Sequence, residues 1–278
     1  MVDNLWQNAR GYFALIEAGI KQELDRHRSS RFYGPLLYAV EGGKRVRPLV
    51  TLLATEAVRG RSEDALEAAV AIELLHTESI IHDDIIDQEA MRRDRMAFHV
   101  KYGYGASLLT ADFILGMVLD LASRYSNTQV AQELSAAALR MSEGEFGELK
   151  IDPKVYQLSW NEYIALASQK TASLFQTAAK VGAIIGKGTE TVATALAGYG
   201  LELGIAFQLH DDILDWGQEG KVTAALRLDP PPGDGLAYLK EMARAHAGKA
   251  KRELAPLPVT DARAHLEQLA DFAVTRSF

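Results

Sequence analysis

Apolar residues recur along this chain at intervals of three and four positions, a spacing that places them on one face of an α-helix. One such series runs through residues 66–75 and another through 201–213. No segment sustains the strict alternation that marks a half-buried β-strand. Proline is absent from residues 49–152 and 154–229, so both tracts permit long helices. The pattern predicts an all-α fold, a single bundle of about ten helices packed around one another.

The connector at residues 228–235 is the candidate domain boundary. It reads LDPPPGDG, and three consecutive prolines with two glycines cannot continue a helix. The residues that follow it are too few for a second hydrophobic core. We therefore expect residues 1–278 to form one domain, with the last helices closing the same bundle.

Composition narrows the classes of function. Hydrophobic residues make up 48% and charged residues 24% of the 278 positions, as in a folded globular chain. The absence of cysteine excludes a disulfide framework, a thiolate metal site and a cysteine nucleophile. The net charge of −7, without a long basic face, argues against nucleic-acid binding.

The amino terminus and the apolar stretches predict a cytoplasmic protein. Residues 1–10 lack the basic segment followed by an apolar run that marks a signal peptide. The most apolar stretch, residues 107–123, carries two aspartates and falls short of the roughly 18 uncharged apolar residues that a membrane span needs. We interpret it as a buried core helix, and we expect Glu143 and Glu145 to face solvent.

One heptapeptide pattern occurs twice in the chain. Residues 81–87 read IHDDIID, and residues 209–215 read LHDDILD. Because Asp is about 6% of the residues, DDxxD is expected by chance only about 0.06 times in this length. Without the six motif aspartates the net charge would be −1 instead of −7, so the acidic balance comes largely from these two segments.

The repeated motif predicts a metal site. On a helix, the first and last Asp of DDxxD share a face, and such crowded carboxylates repel one another unless a cation lies between them. Their oxygens suit Mg²⁺, which proteins bind through a few carboxylates, water and substrate phosphates. We therefore predict a Mg²⁺ and diphosphate site, with His82 and His210 in packing or supporting roles. The aspartates are Asp83, Asp84, Asp87, Asp211, Asp212 and Asp215.

Basic residues form a second half-site. Residues 42–48 read GGKRVRP, where two glycines allow a tight turn and the cations supply donors to phosphate oxygens. Paired arginines at 92–93 follow Asp87 closely, and Lys-Thr at 170–171 stands in an otherwise apolar segment. Together they predict one cavity for two polyanions, one held through Mg²⁺ and the other by Lys and Arg directly. A kinase-like site is excluded because the chain has no GxxxxGK[ST] loop and no βα pattern.

These motifs resemble those of the trans-isoprenyl diphosphate synthases, the polyprenyl synthetase family of head-to-tail prenyltransferases. The resemblance implies the isoprenoid synthase type of fold, a single large helical bundle around a central cavity, usually in a homodimer. It also implies condensation of isopentenyl diphosphate with an allylic diphosphate, giving a longer trans-prenyl diphosphate and pyrophosphate. The matching segments, in order, are GGKRVRP at 42–48, LLHTESIIHDDIID at 74–87, RR at 92–93, KTASLF at 170–175 and FQLHDDILD at 207–215.

The resemblance further implies a role for each site residue. The six aspartates would hold Mg²⁺ on the allylic diphosphate, with Asp215 acting through water, while Arg92 and Lys170 would neutralise the same diphosphate. Thr171 and Gln208 would present oxygens toward the developing allylic cation. The residues implied to bind isopentenyl diphosphate are Lys44, Arg47, His76 and Arg93, and Lys221 is a further diphosphate ligand.

In this family, product length is set by the residues just before the first Asp motif, which here are Leu75, Glu78 and Ser79. The small Ser79 favours geranylgeranyl diphosphate or a longer product. Glu78 is unexpected, because a carboxylate in an apolar tunnel is costly unless it is paired or turned away.

The chain departs from the family pattern at two places. Asp94, Arg95 and Met96 follow the paired arginines where the family usually has Gly and Pro, which puts the shape of that loop in question. The segment after Asp215 is shorter than the usual loop that contains glycine and lysine.

Two other functions stay open at this point. A class I terpene cyclase also ionises a prenyl diphosphate in an α-helical bundle, and Glu219 lies where its second metal motif ends. That motif normally has Ser or Thr where Asp215 stands, and a cyclase has no use for GGKRVRP. A non-catalytic partner subunit of another prenyltransferase is the second alternative, although such subunits typically lose Asp motifs that are intact here.

Overall fold

The structure, a computed structural model, describes residues 7, 9–151, 157–216, 226–227 and 235–276. These residues form an all-α bundle, as the spacing of apolar positions predicts. Three of the helices have eight residues or fewer. In chain order the helices are α1 Arg10–Asp25, α2 Tyr33–Val40, α3 Val46–Ala57, α4 Leu66–Ile86, α5 Phe98–Tyr102, α6 Tyr104–Ser123, α7 Thr128–Glu148, α8 Trp160–Ala167, α9 Ser173–Ile185, α10 Glu190–Leu214, α11 Gly235–Glu253 and α12 Asp261–Ala273.

Two short irregular helical segments interrupt this order. A 3₁₀ turn, Ser62–Ala65, precedes α4, and a π-helical turn, Ser168–Ala172, joins α8 to α9 without a break. Single π turns inside α-helices are often found at functional sites. Here the turn contains the Lys-Thr pair singled out in the sequence.

The core lies between α3, α4, α9 and α10, where small residues allow close helix contacts. At Gly182 of α9, a Cβ atom would lie 2.4 Å from the Thr51 carbonyl oxygen of α3, so only glycine allows this approach. Thr55 of α3 donates a hydrogen bond from Oγ1 to the Gly182 carbonyl oxygen at 3.0 Å. The buried Tyr199 of α10 donates its hydroxyl proton to the Leu266 carbonyl oxygen of α12 at 2.8 Å. Buried residues of α4 and α10, the helices that contain the two Asp motifs, belong to the same core.

Sheet structure in the described residues is limited to two pairs of two-residue strands. β1 Met91–Arg92 and β2 Arg95–Met96 form an antiparallel hairpin, and β3 Leu158–Ser159 pairs in parallel with β4 Leu226–Arg227. The two loop residues of the hairpin, Arg93 and Asp94, both have positive φ, as a type I′ turn requires. The departure from Gly and Pro after the paired arginines therefore yields a tight hairpin.

Two helices, α6 and α10, are long and apolar enough to cross a membrane by length and composition alone. Most of the apolar window of α10 is buried, as in the core helix of a globular protein, whereas less than half of that of α6 is buried. The prediction that residues 107–123 form a core helix is therefore correct for only one face of α6. The other face is exposed because no described element packs against it.

Candidate active site

Both Asp motifs lie at the carboxyl end of a long helix. In each repeat the first two aspartates occupy the last turn, of α4 or α10, and the third is the C-cap residue, Asp87 or Asp215. The carboxyl end of a helix has a partial negative charge, so it disfavours carboxylates. The same unfavourable arrangement occurs twice, and cations from elsewhere in the chain must compensate it.

Asp83 shows the cost of this crowding. Burial raises the pKa of its carboxyl to about 7, and Glu145 and Asp87 add to the rise, while Lys170 and Arg92 oppose it. A pKa this far above the usual value for Asp means that bringing its negative charge into the site is unfavourable. A further cation at this position would therefore be stabilised.

Lys170 lies beside the first motif and is paired with two glutamates of α7. Its ammonium contacts Glu145 Oε2 at 2.7 Å and Glu148 Oε2 at 2.8 Å. Burial lowers the pKa of Lys170, but Glu148 and Asp83 more than offset this effect, so the pKa is raised and the group stays charged. The prediction that Glu145 faces solvent is wrong, because its side chain is largely buried against this lysine, whereas Glu143 is exposed as expected.

The second motif is held by a chain of hydrogen bonds. The Tyr163 hydroxyl donates to Asp212 Oδ2, and Gln208 Nε2 donates to Asp212 Oδ1 at 3.2 Å. Thr171 Oγ1 donates to Gln208 Oε1 at 2.6 Å, which joins the π turn to α10. Burial raises the pKa of Asp212 to about 6 despite these donors.

The β1–β2 hairpin sends its two arginines to different places. Arg92 donates from Nε to Asp84 Oδ1 at 2.7 Å, and its Nη2 lies 2.5 Å from the same oxygen. Arg93 reaches the glycine pair, where its Nη1 lies 3.4 Å from the Glu41 carbonyl oxygen. The hairpin is held from outside by Arg95, which binds Glu41 Oε2 at 2.6 Å. The structure thus divides the paired arginines between the two half-sites expected from the sequence.

Arg47 and His76 form the centre of the cationic half-site. Arg47 Nη1 donates to His76 Nε2 at 3.0 Å, and the guanidinium lies 4.5 Å above the Phe175 ring. Burial, followed by the charges of Arg47 and Arg93, lowers the pKa of His76 well below its usual range, so the ring is neutral and accepts this bond. The buried Nε of Arg47 has no hydrogen-bond partner among the described residues. A donor on a buried guanidinium is a suitable hydrogen-bond partner for an anion.

Lys44 belongs to the same electrostatic neighbourhood. Burial lowers its pKa, the charge of Arg276 lowers it further, and Asp211 opposes both effects. Arg45, the remaining cation of GGKRVRP, is turned into the core, where it contacts Glu73 Oε1 and Glu17 Oε1 at 2.7 Å each. Of the three cations in this segment, Arg45 is thus paired inside the core, whereas Lys44 and Arg47 both lie within the electrostatic reach of Asp211 and Arg276.

An elongated cavity of about 690 Å³ runs between α4, α6 and α7. Asp83, Glu145 and Lys170 lie at one end, and Ser123 and Ala131 lie toward the other. Its lining is mainly apolar, which is typical of a ligand pocket that holds a hydrocarbon group. Of the site residues named from the sequence, Asp83 and Lys170 line this cavity.

The three residues implied to set product length all line this cavity. Ser79 donates from Oγ to the His76 carbonyl oxygen at 2.9 Å, so its small side chain is satisfied within its own helix. Glu78 Oε1 lies 3.1 Å from His82 Nε2, one turn further along α4. This hydrogen bond is the first cause of the raised pKa of His82. The unexpected carboxylate is thus paired in the cavity wall.

The donor set suits a hard divalent cation. All six motif side chains offer carboxylate oxygens, the ligand type that Mg²⁺ prefers. Several of these oxygens are bound by protein donors: Arg92 at Asp84, Arg276 at Asp211 and Tyr163 at Asp212. Accordingly, among the described residues no group of three or more His, Asp or Glu side chains could hold a metal ion as placed. The chemistry of the donors fits the cation, and the sharing of an ion between both motifs stays a prediction.

Sequence reasoning missed several residues of the site. Arg276, near the end of the chain, contacts Asp211 Oδ1 at 2.7 Å and donates to the Phe207 carbonyl oxygen at 3.0 Å. His210, placed in a supporting role, contacts the Arg276 carbonyl oxygen with Nε2 at 2.7 Å. Tyr163 and Glu148 were also missed. No local pattern marks any of them, although Gly144 and Gly147 flanking Glu145 indicate a close contact in that part of α7.

Two sequence predictions lie outside the described residues: the role of Lys221, and the shape of the segment after Asp215 with the LDPPPGDG connector.

Comparisons with known proteins agree with the motifs. The family profile described as polyprenyl synthetase matches residues 29–224. A geranylgeranyl diphosphate synthase of Methanosarcina mazei is 35% identical over 218 residues, which cover 76% of this chain and 67% of that protein. The crystal structure of geranylgeranyl pyrophosphate synthetase from Pyrococcus horikoshii superposes with a TM-score of 0.86 at 29% identity, covering 99% of both chains. A polyprenyl synthase from Caulobacter crescentus, complexed with calcium and isoprenyl diphosphate, gives a TM-score of 0.85 at 29% identity, covering 99% of this chain and 98% of that one.

Proposed function

Because this chain belongs to the polyprenyl synthetase family, we propose that it condenses isopentenyl diphosphate with an allylic prenyl diphosphate, head to tail. The products are a longer trans-prenyl diphosphate, geranylgeranyl or longer, and pyrophosphate. The observation that carries the proposal is the apolar cavity that ends at Asp83 and Lys170. Its apolar part suits a hydrocarbon tail, and its charged end suits a diphosphate.

The chain's own cations assist the first step. As the allylic C–O bond breaks, both electrons go to the departing pyrophosphate, and Lys170 and Arg92 stabilise its charge. Thr171 and Gln208 direct oxygen dipoles toward the carbon that becomes positive. Bound Mg²⁺, held by Asp83, Asp84, Asp87, Asp211, Asp212 and Asp215, would supply Lewis-acid neutralisation of the same diphosphate.

The cationic half-site positions the second substrate. Lys44, Arg47, His76 and Arg93 bind isopentenyl diphosphate, whose double bond attacks the allylic cation and forms the new C–C bond. Loss of a proton to the released pyrophosphate restores the double bond and gives a product five carbons longer. The apolar lining excludes water, which would otherwise trap the cation as an alcohol.

We further propose that residues 1–278 form a single synthase domain, that the protein acts in the cytoplasm, and that it is a homodimer. The exposed apolar face of α6 supports the last point, because a soluble monomer rarely leaves such a face uncovered. Lys221 is proposed as an additional diphosphate ligand.

The proposal is tested by incubating the purified protein with Mg²⁺, isopentenyl diphosphate and each of the dimethylallyl, geranyl, farnesyl and geranylgeranyl diphosphates. Products are identified by mass, and a parallel reaction contains a chelator. We expect prenyl diphosphates extended in five-carbon steps, and none with the chelator. Hydrocarbon formed from an allylic diphosphate alone would mean a cyclase, and no consumption of any substrate would mean a partner subunit.

Ser79→Phe tests which end of the cavity receives the growing chain. Ser79 lies about 6 Å below Asp83 along α4, at 1.5 Å per residue. A phenyl ring at this position blocks the cavity close to the diphosphate end, so we expect the product to shorten by at least one five-carbon unit. Ser79→Ala, which removes the hydroxyl without adding bulk, should leave product length unchanged. If Ser79→Phe leaves the products unaltered, the growing chain does not occupy this cavity.

A further inference from the structure

Tyr163 of α8 has no task in the reaction proposed above, although it contacts the second Asp motif. Its side chain is buried, with only 2% of the residue exposed. Its hydroxyl donates to Asp212 Oδ2, and this hydrogen bond joins α8 to α10. A role for this hydroxyl can be derived from the groups that follow it in the site. The inference rests on the proposed prenyl transfer.

The middle aspartates of the two motifs are held by different kinds of group. Asp84 is paired with Arg92, whose positive charge offsets the charge of the carboxylate. Asp212 receives hydrogen bonds from two uncharged groups, the Tyr163 hydroxyl at Oδ2 and the Gln208 amide at Oδ1. These two bonds fix the position of the Asp212 carboxylate without adding a charge to it.

The chemistry of the groups fixes the direction of each hydrogen bond. A carboxylate has no proton to give, so Tyr163 and Gln208 both donate to Asp212. The Gln208 amide therefore turns its nitrogen toward Asp212 and its oxygen away from it. That oxygen lies 2.6 Å from Thr171 Oγ1 and can only accept, so the Thr171 hydroxyl gives its proton to Gln208.

The orientation of the Thr171 hydroxyl decides how this group meets a positive charge. A hydroxyl has one proton and two lone pairs. Because the proton lies on the Gln208 side, the lone pairs of Oγ1 point away from Gln208. The hydroxyl is thus oriented before the reaction starts, and an oriented dipole stabilises a developing charge without having to reorganise.

The dipoles between Asp212 and Thr171 all have the same direction. The Gln208 amide and the Thr171 hydroxyl each turn their positive end toward Asp212 and their negative end away from it. Hydrogen bonds in such a series polarise one another in the protein interior. Exposure changes along the same series, because Tyr163 is buried whereas Asp212, Gln208 and Thr171 are partly exposed. The network therefore runs from the core toward the site.

We propose that Tyr163 is a positioning residue for the ionisation step. By holding the Asp212 carboxylate, it fixes the orientation of the Gln208 amide and, through that amide, turns the lone pairs of Thr171 toward the allylic cation. Asp212 thereby has a second task besides the one at the metal site. Its negative charge acts on the cation through two aligned dipoles, while Tyr163 acts without contact with the substrate.

Tyr163→Phe is the first test, because it removes the hydroxyl and keeps the ring that packs on Trp160 at 5.5 Å. Single turnovers with farnesyl and isopentenyl diphosphates are followed by rapid quench. The rate of condensation should fall about tenfold, less than for a group that contacts the developing charge directly. The KM of each substrate should stay within about twofold, because the oriented oxygen acts only when the cation forms.

Tyr238→Phe is the matched control, since this ring also contacts Trp160, at 5.2 Å. It removes a hydroxyl from the same aromatic cluster and should leave the rate unchanged. Circular dichroism establishes that both variants are folded. An unchanged rate in the Tyr163→Phe protein, or an equal loss in both variants, overturns the proposal.

A double-mutant cycle shows whether Tyr163 acts through Thr171. Thr171→Val removes the hydroxyl at nearly the same side-chain volume. In this background Tyr163→Phe should lower the rate by less than about twofold, because no hydroxyl remains to be oriented. If the two losses multiply in the double variant, Tyr163 acts by another route and the proposal is overturned.

Metal binding separates this role from support of the Mg²⁺ site. Binding of Mn²⁺ in the absence of substrates is measured by electron paramagnetic resonance. Tyr163→Phe should leave the affinity for Mn²⁺ within about twofold. A loss of about 10- to 100-fold, the usual effect of removing a group that supports a metal ligand, would assign Tyr163 to the metal site and overturn the proposal.

A cation analogue gives a readout that does not depend on turnover. Geranyl diphosphate with a protonated amine in place of carbon 3 has a positive charge where the allylic cation has part of its own. Calorimetry with Mg²⁺ should show about tenfold weaker binding of this analogue to Tyr163→Phe, and unchanged binding of geranyl diphosphate. Equal affinities of both proteins for the analogue overturn the proposal.

The same measurements distinguish this inference from the function on which it rests. If the unmodified chain makes no prenyl diphosphate, the proposed function fails and the inference fails with it. If the unmodified chain is active and Tyr163→Phe is equally active, only the inference fails.

Discussion

Single residues of the site satisfy several partners at once, and Lys170 is the clearest case. Its ammonium contacts Glu145 and Glu148 on α7 and faces Asp83 on α4. One positive charge does not neutralise three carboxylates, so the cluster of Lys170 and these acidic side chains keeps a negative balance. The same balance that keeps Lys170 charged therefore makes the site a good host for further cations.

Lys170→Gln should lower kcat by about 10²–10³, the usual cost of losing one donor that stabilises developing charge. The fold should remain, because glutamine still donates to Glu145. Steady-state kinetics with farnesyl and isopentenyl diphosphates measures the effect. Lys180→Gln removes the similar Lys180–Glu133 ion pair outside the cavity and should leave kcat unchanged. Equal losses in both variants would show that the effect is structural.

The raised pKa of Asp83 predicts a pH-dependent stability. The folded protein holds this proton up to about pH 7, whereas an unfolded Asp releases it near pH 4. The free energy of unfolding therefore falls as pH rises through this window. In metal-free buffer at pH 8, Asp83→Asn should raise the Tm, by roughly 2–4 °C for each kcal/mol gained. At pH 4.5 the difference should largely disappear, and the exposed Asp64→Asn should show no such pattern.

At the scale of elements, close contacts between helices fix the positions of the side chains of the site. The π turn that carries Lys170 and Thr171 lies between α7 and α10. A Cβ atom at Gly144 would stand 2.5 Å from the Lys170 amide nitrogen, and one at Gly204 would stand 2.5 Å from the Ala172 Cα. At these two glycines, α7 and α10 therefore lie directly against the backbone of the π turn. The β1–β2 hairpin performs a similar task, because its two-residue loop directs Arg92 and Arg93 to different half-sites.

Gly144→Ala should separate α7 from the π turn. We expect a loss of about 1–3 kcal/mol in the free energy of unfolding, typical of overpacking, together with reduced kcat because Lys170 moves with the turn. Urea unfolding and kinetics are the measurements. Gly11→Ala in α1 is the control, because a Cβ atom there would meet nothing within 4 Å. It should raise the free energy of unfolding by up to about 1 kcal/mol. A Gly144→Ala protein as stable and active as the original would contradict the close contact.

At the scale of the whole molecule, the end of the described chain returns to the site. Arg276 follows α12 and reaches α10, where it binds Asp211, donates to the Phe207 carbonyl oxygen and covers the Phe207 ring at 4.5 Å. Its own carbonyl oxygen contacts His210. The last helix is thereby tied to the second Asp motif.

Arg276→Ala removes this connection and leaves the Phe207 carbonyl oxygen without its arginine donor. We expect the free energy of unfolding to fall by about 1–3 kcal/mol, the cost of losing a buried partner. Denaturant unfolding at pH 7 measures it. Arg31→Ala, at an exposed position, should change stability by less than about 0.5 kcal/mol. If both variants unfold alike, Arg276 does not tie the chain end to α10.

The sequence alone determined the class of fold and most of the proposed chemistry. Helical spacing and proline-free tracts are local properties, so they predict helices without knowledge of packing. The duplicated HDDI pattern and GGKRVRP are local as well. They identified Asp83 and Lys170, which line one cavity, and Arg47 and His76, which contact each other.

Only the tertiary structure decided which of these groups meet, because contacts between distant residues depend on how the helices pack. It turned Arg45 into the core and Arg47 into the site, although the two are two positions apart. It brought Arg276 and Tyr163 to the second Asp motif and buried Glu145, for which no local signal exists. It also exposed one face of the most apolar helix, because composition records how apolar a segment is but not which of its faces another element covers.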